Sequence, residues 1–383
     1  MSLPKQARAI AFYLPQFHPI PENDEWWSKG FTEWTNVAKA TPLFKGHQQP
    51  RVPGELGFYD LRISENRAAQ AVLAREHGIE GFCYWHYWFA GKRLLERPFQ
   101  EVLQSGQPDF PFCLAWANES WTGVWNGEPN KILLEQTYPG EMDYVRHFNS
   151  ILPAFCDERY LHIDGKPLFV VYQPDSIPHP KRFTGLWNEL AIKAGLKGIY
   201  FVGIVDRPWT ETEGFDGYTY HLPGTFLQTL PKRAGRGLAK RQKNRGALNF
   251  FAKSPLLASY PDVIANALQS IEFGPRHYPS VLPNWDSTPR HGMNGLVLQG
   301  STPEHFRSHL REAIQIVESR EPDHRLIFVK SWNEWAEGNY LEPDLHFGTE
   351  YLSVMKEELS CVTAAGRHKV RHVTPQSPVE MVV

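Results

Sequence analysis

Leu326-Ile327-Phe328-Val329-Lys330, running into Ser331-Trp332-Asn333-Glu334-Trp335-Ala336-Glu337-Gly338, sets the pattern for the fold. Four consecutive apolar residues, two of them β-branched, suit a strand buried on both faces of a parallel sheet. A polar and aromatic cluster begins where that strand should end. The same pairing recurs along the chain. Residues 9–14, 79–84, 112–116, 167–172, 199–205, 215–220, 281–285 and 326–330 form eight apolar, β-rich runs. Between them, residues 64–77, 142–155, 186–194, 263–271 and 304–318 place apolar side chains at helical spacing. Gly78 and Gly195 stand where helix C-caps belong. Eight alternations predict an α/β fold, a (β/α)8 TIM barrel forming one domain over residues 1–361, rather than an open sheet. Residues 15–63 make an unusually long connection after strand one, marking a functional loop or a small inserted substructure. Residues 362–383 lack periodicity and are expected to be a flexible tail.

A chain of 383 residues with 42% hydrophobic and 21% charged residues has a globular composition. A formal net charge of −2 gives no overall attraction to nucleic acid or membrane, and no nucleic-acid partner is expected. Aromatic residues make up 13% of the chain, with 13 Trp. That supply suits stacking against flat ligand faces such as sugar rings; an aromatic-rich core is the plainer alternative. Cys83, Cys113, Cys156 and Cys361 are expected to be buried thiols in a reducing compartment. The N-terminal apolar run ends at Pro15, too short for a signal sequence, and no long apolar stretch follows, so a cytoplasmic location is expected.

In barrels of this kind chemistry collects at the C-terminal ends of the strands, and the sequence concentrates polar and aromatic residues there. Tyr13, Gln16 and His18 follow strand one; Trp85 and His86 follow strand two; Trp116, Asn118 and Glu119 end strand three. Tyr172, Tyr220, Trp285 and Asp286, and Trp332 with Asn333, hold the corresponding ends of strands four, six, seven and eight. The predicted substrate-binding residues are therefore Tyr13, Trp85, His86, Trp116, Asn118, Glu119, Tyr172, Tyr220, Trp285, Asp286, Trp332 and Asn333. Glu334 and Glu337 are the predicted catalytic pair. If the chain turns helical after Asn333, both carboxylates share one face and shift each other's pKa. Glycosidic bond cleavage needs such a division, one acid protonated and one group ionised. Two glutamates that merely complement a helix dipole are the structural alternative.

The motif Ala11-Phe12-Tyr13-Leu14-Pro15-Gln16-Phe17-His18-Pro19-Ile20-Pro21-Glu22-Asn23, with Trp26-Trp27 and Gly30-Phe31-Thr32-Glu33-Trp34, resembles the opening of WbsX-type bacterial polysaccharide-biosynthesis proteins. Asn284-Trp285-Asp286-Ser287-Thr288-Pro289-Arg290 and the cluster after strand eight fit the same family. Those proteins are similar, more distantly, to family 99 glycoside hydrolases, retaining α-mannoside-cleaving barrels. The resemblance implies that Glu334-Trp335-Ala336-Glu337-Gly338 carries catalysis. On that implication Glu337 is the general acid/base, and Glu334 is the base on the sugar's own 2-hydroxyl. It also implies no cofactor and no metal.

The expected function is thus a retaining glycosidase or transglycosidase of bacterial surface polysaccharide (O-antigen or lipopolysaccharide type) metabolism. Three rivals stand beside it. Glu119 could act as acid/base with Glu334 as direct nucleophile, which requires a carboxyl separation of about 5 Å. A glycosyltransferase is weakened by the absence of any Asp-x-Asp pair and of a glycine-rich phosphate loop. A polysaccharide-binding protein without turnover is the non-enzymatic rival. Lys232, Arg233, Arg236, Lys240, Arg241, Lys243 and Arg245 lie in a stretch without acidic residues. They are either a solvated face or a contact for a membrane surface or a lipid-pyrophosphate glycan carrier.

Overall fold

The computed structural model describes residues 6–123, 128–206, 214–225, 254–268 and 274–360. The basic stretch 232–245, Cys361 and the expected tail lie outside the described residues. Eight parallel strands form a nearly closed barrel: β1 (Arg8–Tyr13), β2 (Ile79–Phe89), β3 (Phe112–Trp116), β4 (Lys166–Val171), β5 (Tyr200–Val205), β6 (Gly217–Tyr220), β7 (Ser280–Val281) and β8 (Leu326–Val329). Their hydrogen-bonded order is β6-β5-β4-β3-β2-β1-β8-β7. Registers such as Ala11 against Val329 and Cys83 against Cys113 hold neighbouring strands in step. Between β6 and β7 the ring is completed by the Tyr218–His277 bridge and by a 2.6 Å hydrogen bond between the Thr219 and Ser280 hydroxyls. The expected barrel is therefore the observed one.

Differences from the sequence reading have local causes. β7 stops at Val281 although the apolar run continues to residue 285. Pro283 has no N–H to give to a ladder, so Asn284 and Trp285 leave the sheet as a loop. β2 runs on to Phe89 because its aromatic end folds into a hairpin with Lys92–Leu94, turning at Ala90 and Gly91, both at positive φ. Period-two alternation then puts Trp85 and Tyr87 on one face. The helices α1 (Pro21–Trp26) and α2 (Glu33–Lys39) form the substructure inserted after β1. Around the barrel lie α3 (Ser64–Glu76), α4 (Arg97–Ser105), α5 (Glu141–Phe155), α6 (Pro180–Lys193), α7 (Tyr260–Ala267), α8 (Pro303–Val317) and α9 (Glu350–Ser360). Of these, α4 and α9 were not anticipated, and α6 starts earlier than expected, at a proline whose fixed φ suits a first helical turn. Gly78 and Gly195 follow α3 and α6 with φ of +86°, as expected of C-caps.

Cys83 and Cys113 are buried free thiols on paired strands. Cys156 is exposed just past α5, where the helix face turns outward, and this corrects the expectation of a buried thiol. Among the described residues no helix is long and apolar enough to cross a membrane.

Candidate active site

The segment after β8 is clamped from behind. Asn333 accepts from the Leu14 N–H at 2.7 Å and donates to the Leu14 carbonyl at 3.1 Å, tying the β8 exit to the β1 exit. Trp335 donates its indole N–H to Glu342 at 2.7 Å, and Glu342 also accepts from Gln70 at 2.6 Å and Tyr59 at 2.9 Å. Trp335–Glu337 forms a single 3₁₀ turn closed by Gly338 at φ +59°. A Cβ on Gly338 would stand 2.8 Å from the Asp286 Cβ, so only glycine fits there. Residues three apart eclipse in a 3₁₀ turn, and Glu334 and Glu337 accordingly both reach the same cleft.

That cleft, about 310 Å³, lies at the C-terminal ends of the strands. Trp85 and Tyr87 come from β2, Glu119 and Trp121 from the β3 exit, and Tyr172 from the β4 exit. Leu14, Gln16 and Trp27 come from the substructure after β1, and Arg290 and His291 from a short helix, Thr288–His291. Lys330, Glu334 and Glu337 complete it from β8.

The two glutamates are electrostatically unequal. Glu334 is 4% exposed and accepts from the Trp85 indole N–H at 2.8 Å; its Oε2 is 4.0 Å from Lys330 Nζ. Burial raises Glu334 to about 7, with the neighbouring charge of Glu337 adding and Lys330 opposing. Glu337 also suffers burial, but Arg290 at 2.7 Å, then Lys330, outweigh it and hold the carboxyl below its ordinary value. The two carboxyls are close enough for a proton on Glu334 to be shared with Glu337. Arg290 bridges onward to Glu33 at 2.7 Å, and the same Glu33 oxygen accepts from the Ala336 N–H at 2.9 Å. Burial pushes Glu33 upward against those two donors. Four carboxyls, Glu33, Glu119, Glu334 and Glu337, thus share this site with two cations, Arg290 and Lys330. Burial raises Glu119 to about 7, with Lys330 opposing and the charge of Glu337 adding.

Of the predicted site residues, Trp85, Glu119, Tyr172, Glu334 and Glu337 meet in the cleft. The others are corrected, because each is used in packing behind it. Tyr13 donates to Gln70 at 2.7 Å and is fully buried; His86 pairs with His147 at 2.8 Å between β2 and α5. Trp116 packs beneath Tyr138 and Phe183, and Asn118 fixes the Gln173 backbone with two 2.8 Å bonds. Tyr220 is buried against His277, and Trp285 lies under the Lys330 ammonium. Asp286 is fully buried and accepts from His47, Gln49 and Thr288; with Arg51 these outweigh burial and keep it below the usual carboxylate range. Trp332 packs on Phe82, and Asn333 is the clamp already described. Arg290, Lys330, Tyr87, Trp27 and Trp121 also line the cleft and are not among the predicted site residues. Alternation beyond Trp85 carried the signal for Tyr87. Arg290 was visible only as the last residue of a motif, because its partners come from residues 33 and 337.

A (β/α)8 barrel whose strand ends hold an acidic, tryptophan-walled cleft is the class that fold and site define. The chain belongs to the family described as Glycosyltransferase WbsX, which it matches over residues 9–355. It is 37% identical over 359 residues to the WxcX protein of Xanthomonas campestris pv. campestris, covering 92% of this chain and 50% of that protein. The chain therefore spans about half the length of the curated relatives it matches. Similar solved structures include a glycoside hydrolase-like protein, with a TM-score of 0.59 and 14% identity over 94% of this chain and 95% of that chain. A family 99 endo-α-mannosidase from Bacteroides thetaiotaomicron has a TM-score of 0.52 and 15% identity over 92% of this chain and 96% of its own. At these identities the likeness is one of fold.

Proposed function

We propose that the protein is a glycan-active enzyme of surface polysaccharide metabolism, a retaining glycosidase or transglycosidase working through Glu334 and Glu337. The observation that carries this reading is the unequal pair: two adjacent carboxyls facing one cleft, one pushed up to about 7 and the other held ionised by Arg290. A carboxylic acid near 7 is a competent proton donor at neutral pH, and an ionised neighbour can serve the electron-poor sugar carbon. The electrostatics favour Glu334 as the donor to the leaving oxygen and Glu337 as the ionised partner, the reverse of the roles that the family resemblance implies. In the neighbouring-group route Glu337 takes the proton of the sugar's 2-hydroxyl, O2 closes on the anomeric carbon, and Glu334 protonates the departing oxygen. Water or an acceptor hydroxyl then opens the 1,2-anhydro sugar as the two protons return.

The test is incubation with oligosaccharides released from bacterial surface polysaccharides, following new reducing ends or elongated products. Glu334→Gln and Glu337→Gln should each abolish turnover while glycan binding stays within a few-fold of the parent. Equal loss of binding and turnover would assign both residues a structural role. The second reading is a glycosyltransferase, favoured by the family's description and by two cations, Lys330 and Arg290, at the cleft wall. Direct calorimetric binding of nucleotide sugars would support transfer; absence of binding to all of them supports the glycosidase or transglycosidase. A lipid-pyrophosphate-borne substrate and membrane contact through residues 232–245 belong to this proposal as well, tested by binding to anionic vesicles.

A further inference from the structure

Resting on the reading of Glu334 and Glu337 as the working pair, we propose that Glu33 is a positioning residue that fixes both the place and the charge of Glu337 through Arg290 and the Ala336 amide. Glu33 opens α2, in the substructure inserted after β1, and is completely buried. A carboxylate out of reach of water persists only where donors meet it. Its Oε1 meets two: the Ala336 N–H at 2.9 Å, inside the turn that carries Glu337, and the Arg290 guanidinium at 2.7 Å. Its own backbone N–H is held by the Gln16 carbonyl at 2.9 Å, so the side chain starts from a fixed point. Trp34, the next residue, packs on Trp335 at 5.4 Å, which locks α2 against the same turn.

Arg290 is consequently divided between two carboxylates. The groups facing Glu337 are Arg290 from the short helix, Lys330 and Glu334 from the β8 exit, Glu33 from α2, Glu119 from the β3 exit and the Tyr172 phenol from the β4 exit. Glu33 acts on Glu337 in two ways of the same sign. Its negative charge opposes ionisation of Glu337, and its claim on Arg290 weakens the cation's hold. Removing the charge therefore makes Glu337 more acidic and leaves Arg290 free to turn wholly toward it.

The experiment is a carbon-13 titration of glutamate carboxyls in the intact protein, without added glycan, for the parent, Glu33→Gln and Glu33→Asp. Glu337→Gln and Glu334→Gln spectra assign the two resonances. Glu33→Gln should move the Glu337 midpoint down by about half a pH unit, the effect being reduced because burial raises Glu33 and it takes up its own proton before Glu337 does. Glu33→Asp keeps the charge with a shorter reach, and should leave that midpoint within about 0.3 unit of the parent. Where a turnover assay exists, the acidic limb of its pH profile should move with the midpoint in Glu33→Gln, while Glu33→Asp loses kcat without moving the limb. An unmoved Glu337 midpoint in a folded Glu33→Gln protein overturns the inference, as does an equal shift in Glu33→Asp. If the midpoints move as stated and no glycan is turned over by the parent, the positioning role stands and the proposed function falls.

Discussion

Replacing Arg290 by methionine gives the most demanding test of the charge arrangement. Arg290 is mostly enclosed and holds Glu33 and Glu337 at 2.7 Å each. Methionine fills much of the volume and supplies no charge. Two carboxylates are then left in a poorly hydrated site, and breaking a buried pair from one side typically costs about 3–5 kcal/mol. Unfolding entropy of roughly 2.1 cal/mol/K per residue gives about 0.8 kcal/mol/K for this chain, so Tm should fall by about 4–6 °C at pH 8. The pH dependence fixes the cause. In the parent, Glu337 has a depressed pKa, so its stabilising contribution is present above the unfolded value of about 4.3 and is lost as pH falls through the folded value. Without Arg290, both Glu33 and Glu337 lie above their unfolded values. Their penalty is then full at high pH and disappears as pH falls toward about 4.3. The Tm gap between parent and variant, followed by tryptophan fluorescence or calorimetry from pH 8 to 5, should therefore narrow steadily. A gap that is absent at pH 8, or that widens toward acid, refutes the charge argument.

Three further outcomes are expected. Trp85→Phe keeps the stack on Phe12 but removes the 2.8 Å donor to Glu334, so the ionised form loses support. The alkaline limb of a pH–rate profile should move up, and kcat/KM should fall about tenfold, matching one lost hydrogen bond to a charged group. Glu342→Gln must turn an amide NH₂ toward either the Trp335 indole N–H or the Gln70 amide, both donors. Tm should drop by the equivalent of about 1–3 kcal/mol at neutral pH, and measured tryptophan emission should shift as Trp335 loses its acceptor. Glu119→Gln decides between routes: a loss of turnover under about tenfold supports the Glu334/Glu337 pair. A loss matching that of Glu337→Gln assigns the leaving-group proton to Glu119 and direct attack to Glu337.

The barrel was legible because its strands are continuous apolar runs whose ends change character abruptly. Residues 112–116 coincide with β3, and 326–330 run one residue past β8. Where a proline lacking an N–H interrupted the run, as at Pro283, the boundary was misplaced. The acids of the site were legible for a related reason: two glutamates three residues apart beside tryptophans are conspicuous on one short segment. Residues that meet only through the fold were not. Asp286 looked like a cleft acid because it follows a strand, but its oxygens are consumed by Thr288 two residues on and by His47 and Gln49 from a chain segment far away. Tyr13 and Trp116 were placed on the wrong side for a simpler reason. A strand end exposes alternate residues to the cleft, and sequence alone does not fix which parity faces inward.

The arrangement of charges also limits which mechanism the cleft can support. Glu334 and Glu337 lie on one short segment and are close enough to share a proton, so on the proposed function they would reach a sugar from the same side. Direct attack by one with protonation by the other calls for carboxyls about 5–5.5 Å apart on opposite sides of the bond being broken. Two acids on one turn suit a reaction in which a nucleophile is supplied from the sugar itself. If a protein carboxylate attacks instead, its partner has to come from another strand, and Glu119 is the carboxyl at the cleft whose ionisation already senses Glu337. Glu337 is the ionised member in both routes, because Arg290 acts on it before any substrate arrives. On the proposed function, the position and charge of Arg290, and of the buried Glu33 behind it, bear on the chemistry as directly as the pair itself.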